Sequence, residues 1–281
     1  MSRESPTIRR RRLVRELRRM REAAGLSIEE ARHAVGWTSG RLNHMEAGRS
    51  RPDSSALKDL MNTYGVTDPA RREAILELGR QSKKRGWWAK FDDVLSGDFI
   101  GFEAEASKIS TFQPIVMPGL LQTAEYAALS ARAQLARTEE EVERIAAARV
   151  ERQKILARDD APEVHAIIAE EALLRLHHSD PGLAHSQLSH LIDVAEALNG
   201  VTIQVHPQAA GIFAATSGAF TILDYTDELD LPIVYVDTTE TGIYMEEPDQ
   251  VTAYRKTFDH VSMDALSKAA SIELMKQIIT D

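Results

Sequence analysis

Residues 36–52, GWTSGRLNHMEAGRSRP, gather side chains that suit one kind of chemistry. Arg41 carries a planar fork of donors, Asn43 an amide that both donates and accepts, and His44 a ring with two nitrogens. An Arg fork matches the guanine edge and an Asn amide the adenine edge in the major groove of DNA. Each good bidentate pair discriminates by roughly 1–3 kcal/mol against the wrong base. Ser39 adds a hydroxyl just before them. Gly40 costs about 1 kcal/mol against alanine inside a helix, which close approach of its backbone to nucleic acid would offset. The candidate base-reading set is therefore Ser39, Gly40, Arg41, Asn43 and His44. Candidate phosphate contacts flank it in Thr38, Arg49, Ser50 and Arg51, and lie upstream in Ser27 and in Arg9, Arg10, Arg11 and Arg12.

A second group sits at residues 118–123, in IVMPGLLQTAEYAAL (115–129). Pro118, Gly119, Leu120, Leu121, Gln122 and Thr123 read as a turn after a strand, leading into a helix capped by Thr123. Free N–H groups near Gly119 and the helix start would suit a small ligand or partner. The alternative is a packing turn, with Leu120 and Leu121 in the core and Pro118-Gly119 fixing the chain. That is the preferred reading for direct ligand contact. Arg149, Arg152 and Gln153, with Glu170 and Glu171, form either a buried ion-pair network tying helix to strand or a solvated helix face.

No catalytic constellation accompanies these groups. His177, His178, Asp180 and His185 resemble metal ligands but fall in what reads as an exposed loop, without HExxH spacing or cysteine. No phosphate loop, nucleophile elbow or dinucleotide fingerprint is present. We expect no enzyme activity, no catalytic residue, no metal and no cofactor.

The elements that must position the first group are helical. Leu13, Leu17, Met20 and Ala24 recur at helix spacing, predicting a helix over 8–24 that Gly25 ends. Ser27 and Glu30 make a capping box for a second helix, whose apolar side is Ala31, Ala34 and Val35. Thr38 or Ser39 caps a third through Ala47, with Leu42, Met45 and the preceding Trp37 facing inward. Ser54 or Ser55 opens a fourth helix, burying Leu57, Leu60, Met61 and Tyr64. Asp68-Pro69 opens a fifth, with Ile75, Leu76 and Leu78 inward. Helix, glycine turn, helix over 27–47 is a helix-turn-helix unit. RQSKKRG at 80–86 reads as the linker region, and the domains are set at 1–82, linker 83–90, and 91–281.

The second half mixes long helices (138–158, 182–198, 249–260, 264–279) with β-rich runs VHAIIAE, VTIQVHP, GAFTILDY and LPIVYVDT, arguing for an α/β or α+β domain. Charge divides at the same place. Residues 1–90 carry 21 Lys+Arg against 11 Asp+Glu, and residues 91–281 carry 13 against 32, giving +10 and −19. A polyanion would be attracted to the first part and repelled by the second. The chain has no cysteine, no membrane-length apolar run and no signal-peptide pattern, so a reducing cytoplasm, close to the nucleoid, is expected.

LRRMREAAGLS…EE…GWTSGRLNHMEAGRSRPDSSALKDLMNTYGV resembles the five-helix XRE-type helix-turn-helix domain, including Glu46-Ala47-Gly48 and the following Pro52. The resemblance implies that Glu46 ties back to Arg18 or Arg21 on the first helix. Ile28 stands where a phosphate-contacting Gln is common. Arg32 stands where a small Ala usually lets two helices pack, so either helix two is shifted or the Arg stem turns outward. With IVMPGLLQTAEYAAL, AARVERQKIL, IIAEEALLRL and QLSHL (187–191), nearly the whole chain resembles the actinobacterial WhiJ-like regulators, which join such a head to a domain of unknown function. The resemblance implies a sequence-specific transcriptional regulator that binds double-stranded DNA as a homodimer. It also implies a small acidic protein partner encoded nearby, and, as the alternative, an antitoxin-like protein that sequesters that partner and autoregulates.

Overall fold

A computed structural model describes residues 6–38, 40–91, 93–94, 98–133, 138–227, 230–238 and 242–280. The chain divides into two compact units, Ser2–Ala89 and Lys90–Asp281.

The first unit is all helical: α1 (Pro6–Ala23), α2 (Ile28–Val35), α3 (Arg41–Glu46), α4 (Ser54–Thr63) and α5 (Pro69–Gln81). Each helix turns a spaced apolar stripe onto one core. Leu13, Leu17 and Met20 of α1 meet Ala31, Leu42, Met45, Leu57, Leu60, Met61, Ile75 and Leu78 there, with Trp37 and Leu76 packed on its margin. The helix starts are chemically fixed. Ser27 Oγ accepts from the Glu30 N–H while the Glu30 carboxylate accepts from the Ser27 N–H, so the capping box forms. Asp68 caps α5, with Pro69 at its first position. Asp53 caps α4 by accepting from the Ala56 N–H at 2.7 Å, so this helix begins at Ser54 but is capped one residue earlier.

Two expectations are corrected. Ala34 is exposed, because α2 is short and Ala31 supplies its one buried side chain. The third helix starts at Arg41, later than Thr38 or Ser39, and its N-cap is Gly40 at φ 95°.

The second unit opens with α6 (Phe99–Glu105) and β1 (Lys108–Gln113). It continues through α7 (Ala124–Arg132), α8 (Glu139–Gln153), β2 (Glu163–Ala169), α9 (Glu170–Ser179), α10 (Pro181–Ala197), β3 (Val201–His206), β4 (Phe220–Asp224), β5 (Ile233–Asp237) and β6 (Gly242–Met245). It closes with α11 (Pro248–Asp264) and α12 (Lys268–Thr280). The strands form one sheet in the order β3-β2-β1-β4-β5-β6. β1, β2 and β3 are parallel and joined by helical crossovers, whereas β4, β5 and β6 run as an antiparallel meander. The domain is thus a mixed α/β sheet.

Phe112 pairs with Ile167 on one side and Phe220 on the other. These face α11, where Val251, Phe258 and Val261 complete a core with Ile222 and Val234. Alternation turns Ile109, Thr111, Ala166, Ile203, Leu223 and Tyr235 to the opposite face. The β3 edge is closed by the chain itself: Leu266 N–H donates to the Val205 carbonyl, and Val205 N–H donates to Ser271 Oγ.

The strand expected at 115–117 does not form. Pro114 and Pro118 bracket those three residues and remove N–H donors a ladder needs, leaving Ile115 61% and Val116 39% exposed. The strand lies earlier, at β1. His177 and His178 end α9 rather than lying in a loop.

Candidate nucleic-acid interface

Helix α3 separates its residues cleanly. Leu42, Met45 and Glu46 are buried, whereas Arg41, Asn43 and His44 are exposed. Ser39 lies outside the described residues. At 100° per residue the three exposed side chains share one side of the helix, so the structure brings the base-reading candidates Arg41, Asn43 and His44 together. The Arg41 guanidinium lies over the Trp37 ring, 4.1 Å from its centroid. Stacking uses the face of the guanidinium and leaves its donor edge free, so Trp37 orients the fork without consuming it. Gly40 is explained by its positive φ, which ordinary side chains rarely adopt. Within the chain a Cβ there would meet only the His44 ring, Cδ2 at 3.6 Å and Nε2 at 3.8 Å. No close contact within the chain selects glycine at this position.

The basic closure is folded onto α3. Arg49 N–H and Ser50 N–H both donate to the His44 carbonyl, at 2.8 and 3.2 Å. Arg49 and Arg51 are exposed, as is Thr38. The Ser50 hydroxyl is buried and makes no hydrogen bond among the described residues. Asp53 sits close by; the Ala56 N–H holds its carboxyl below the usual range, with smaller help from the charges of Arg41 and Lys83.

Glu46 fixes α3 against α1. It is 4% exposed and accepts from Arg21 Nε at 2.7 Å and Arg21 Nη2 at 3.0 Å. Arg18 donates to the Glu46 carbonyl at 3.2 Å, so both arginines make the tie. The bond to Glu46 raises the Arg21 pKa further above its ordinary value. Burial, with the Glu46 charge second, pushes the Tyr64 phenol up to about 12. Arg32 bonds Glu29 and donates to the Trp37 carbonyl. The side chain is thereby held against the end of its own helix, 17% exposed, while Ala31 does the packing. Ser27 is exposed at the α2 start, its hydroxyl oxygen engaged in the capping box. Arg9, Arg10, Arg11 and Arg12 all lie in α1, and four consecutive positions sweep about 300° of a helix, so they cannot all face one surface.

Residues 118–123 are tied into the second unit by hydrogen bonds, with Gln122 Oε1 buried and unbonded among the described residues. Leu120, Leu121 and Gln122 are buried, as is Pro118, while Gly119 and Thr123 are half-buried. Gln187 of α10 donates to the Leu121 carbonyl at 2.7 Å and accepts from the Thr123 N–H at 2.8 Å. Gln122 donates to the Met117 carbonyl, and Gln153 to the Gln122 carbonyl. Thr123 caps α7 through the Tyr126 N–H. The loop thus packs as a turn and exposes little of itself.

The arginine network has a different carboxylate from the expected one. Arg152 pairs with buried Glu103 of α6, whereas Glu171 is exposed and Glu170 accepts from the Gln208 N–H. Glu103 carried no signal in sequence, since a carboxylate in FEAE reads as a solvated one.

Among the described residues, no group of three His, Asp or Glu is placed to hold a metal ion, and no helix is long and apolar enough to cross a membrane. Residues 12–75 match the family model of a helix-turn-helix domain, and residues 96–277 match that of a domain of unknown function, DUF5753. No curated protein and no solved structure matches the chain.

Proposed function

Since the chain belongs to the DUF5753 family and carries a helix-turn-helix domain ahead of it, we propose that it is a sequence-specific transcriptional regulator of the XRE-type, WhiJ-like kind. The observation that carries this reading is the exposed donor side of α3, with Arg41, Asn43 and His44 outward and Glu46 anchoring the other side. In this reading α3 enters the major groove, Arg41 and Asn43 read base edges, and Arg49 and Arg51 hold phosphates. The charge asymmetry brings DNA to the first unit alone.

One such head reads few base pairs. Tight specificity then needs two heads on half-sites about 34 Å apart or a multiple of it, and residues 91–281 supply both the dimer contact and the signal-receiving site. The protein works in the cytoplasm, on the nucleoid.

The test is capture of genomic fragments by the purified full-length protein at near-physiological salt. Recovery of a palindromic site supports the regulator. Salt-sensitive binding without sequence preference would reject self-sufficient recognition and favour the antitoxin-like alternative, in which a small acidic partner is the main target.

A further inference from the structure

Helix α8 carries Arg149 and Arg152 one turn apart, and the two are treated differently. Arg152 has its carboxylate, Glu103, and lies 5.2 Å from the Phe99 ring centroid. Arg149 has nothing equivalent. It is half-buried, and among the described residues its guanidinium donates no hydrogen bond and forms no ion pair. It is pressed against residues 118–123: a Cβ on Gly119 would overlap the Arg149 head and come within 2.9 Å of Arg152 Nη1. Glycine here makes room for two guanidinium groups.

The surroundings raise the cost of that charge. Burial and then the neighbouring Arg152 push the Arg149 pKa down to about 10, against the pull of Glu103 and Asp237, so it stays charged at neutral pH. Asp237 does not pair with it; that carboxylate accepts from the Tyr235 hydroxyl at 3.0 Å. Tyr235 stacks on Phe99 with centroids 4.2 Å apart, and Tyr244 packs on Tyr235 at 5.2 Å, giving the site an aromatic wall. A partly buried guanidinium usually finds a hydrogen-bonding partner. A planar fork of five donors matches a carboxylate or a phosphate bidentately.

We propose that Arg149, over Gly119 and beside the Phe99–Tyr235–Tyr244 wall, anchors a site for the oxyanion group of a small molecule. This rests on the reading of residues 91–281 as the signal-receiving domain and names the chemistry of the signal. Residues 118–123 then serve the site from behind. They hold Gly119 in place through Gln187 and Gln153.

The test is thermal unfolding of the full-length protein titrated with sodium benzoate, sodium acetate and inorganic phosphate, each against chloride at matched ionic strength. The expected result is a saturable rise in Tm with at least one anion. Carboxylates alone would identify an organic acid, and phosphate alone a phosphate ester. Arg149→Met and Gly119→Ala, which displaces the Arg149 head, should both abolish the rise. In chloride, Arg149→Met should unfold at a higher temperature than the parent, because it removes a stranded charge. A merely structural arginine predicts the reverse. No saturable rise with any of the three anions, a rise retained in either variant, or a lower Tm for Arg149→Met would each overturn the proposal. None of these outcomes bears on DNA capture, so the two readings fail separately.

Discussion

At Arg41 the face of the guanidinium rests on Trp37 while its donor edge stays on the exposed side of α3. A side chain held this way loses little freedom on meeting a base. Arg41→Ala is therefore expected to relax sequence preference at one position by roughly 1–3 kcal/mol. Arg51→Ala should instead weaken binding to all DNA about equally and lower the salt slope by about one. Titrations on specific and scrambled duplexes at several salt concentrations read both, and equal loss on the two duplexes for Arg41→Ala would sink its assignment. Glu46 works on the opposite side of the same helix. Its carboxylate is 4% exposed and Arg21 beside it 11%, so removing one partner strands the other. Glu46→Ala should destabilise the first unit by about 3–5 kcal/mol, seen as faster hydrogen exchange across α1 and α3 in the full chain.

Among the elements, the turn at 118–123 depends on a side chain more than sixty residues away. Gln187, fully buried, satisfies one carbonyl and one N–H of that turn. Gln187→Leu keeps the volume but leaves both groups unpaired, at roughly 1–3 kcal/mol each. The expected outcome is a lower Tm, with lost amide protection confined to residues 118–126. The same contrast explains what was legible in sequence. The stripes of α1, α4 and α5 and the capping box at Ser27 are local signals, and the helices follow them closely. β1 and α6 were not legible. KISTFQ hides its alternation because Thr111 is buried against Thr221 as a hydrogen-bonded pair. FIGFEAE has no polar side to display, since Ile100 through Glu105 are all buried. The exposed donors of α3, Arg41, Asn43 and His44, could be read from residue type. The Arg152–Glu103 pair and the solitary Arg149 could not, because each depends on which elements become neighbours.

For the whole molecule, two half-buried histidines contribute to the response to acid. Burial lowers the pKa of His165 and of His190 below the ordinary 6.5, outweighing Gln204 and Asp259 at the first and Asp193 at the second; the charge of Lys108 also lowers that of His165. Below 6.5 the unfolded chain takes up protons that the native chain resists. Stability is therefore unaffected by these groups above that pH and falls as pH drops through 6.5 toward their native values. Thermal unfolding between pH 7.5 and 5 should show this slope, and His165→Gln with His190→Gln should flatten it. The order of the sheet has a further consequence, during synthesis. β1 can pair with β4 only after more than a hundred further residues have been made, and the β3 edge closes only when Ser271 arrives. At roughly 5–20 residues per second, the N-terminal unit, which has its own core, is complete on the order of ten seconds or more before the sheet. Each newly made chain thus passes through an interval in which its helical unit is folded and its sheet is not.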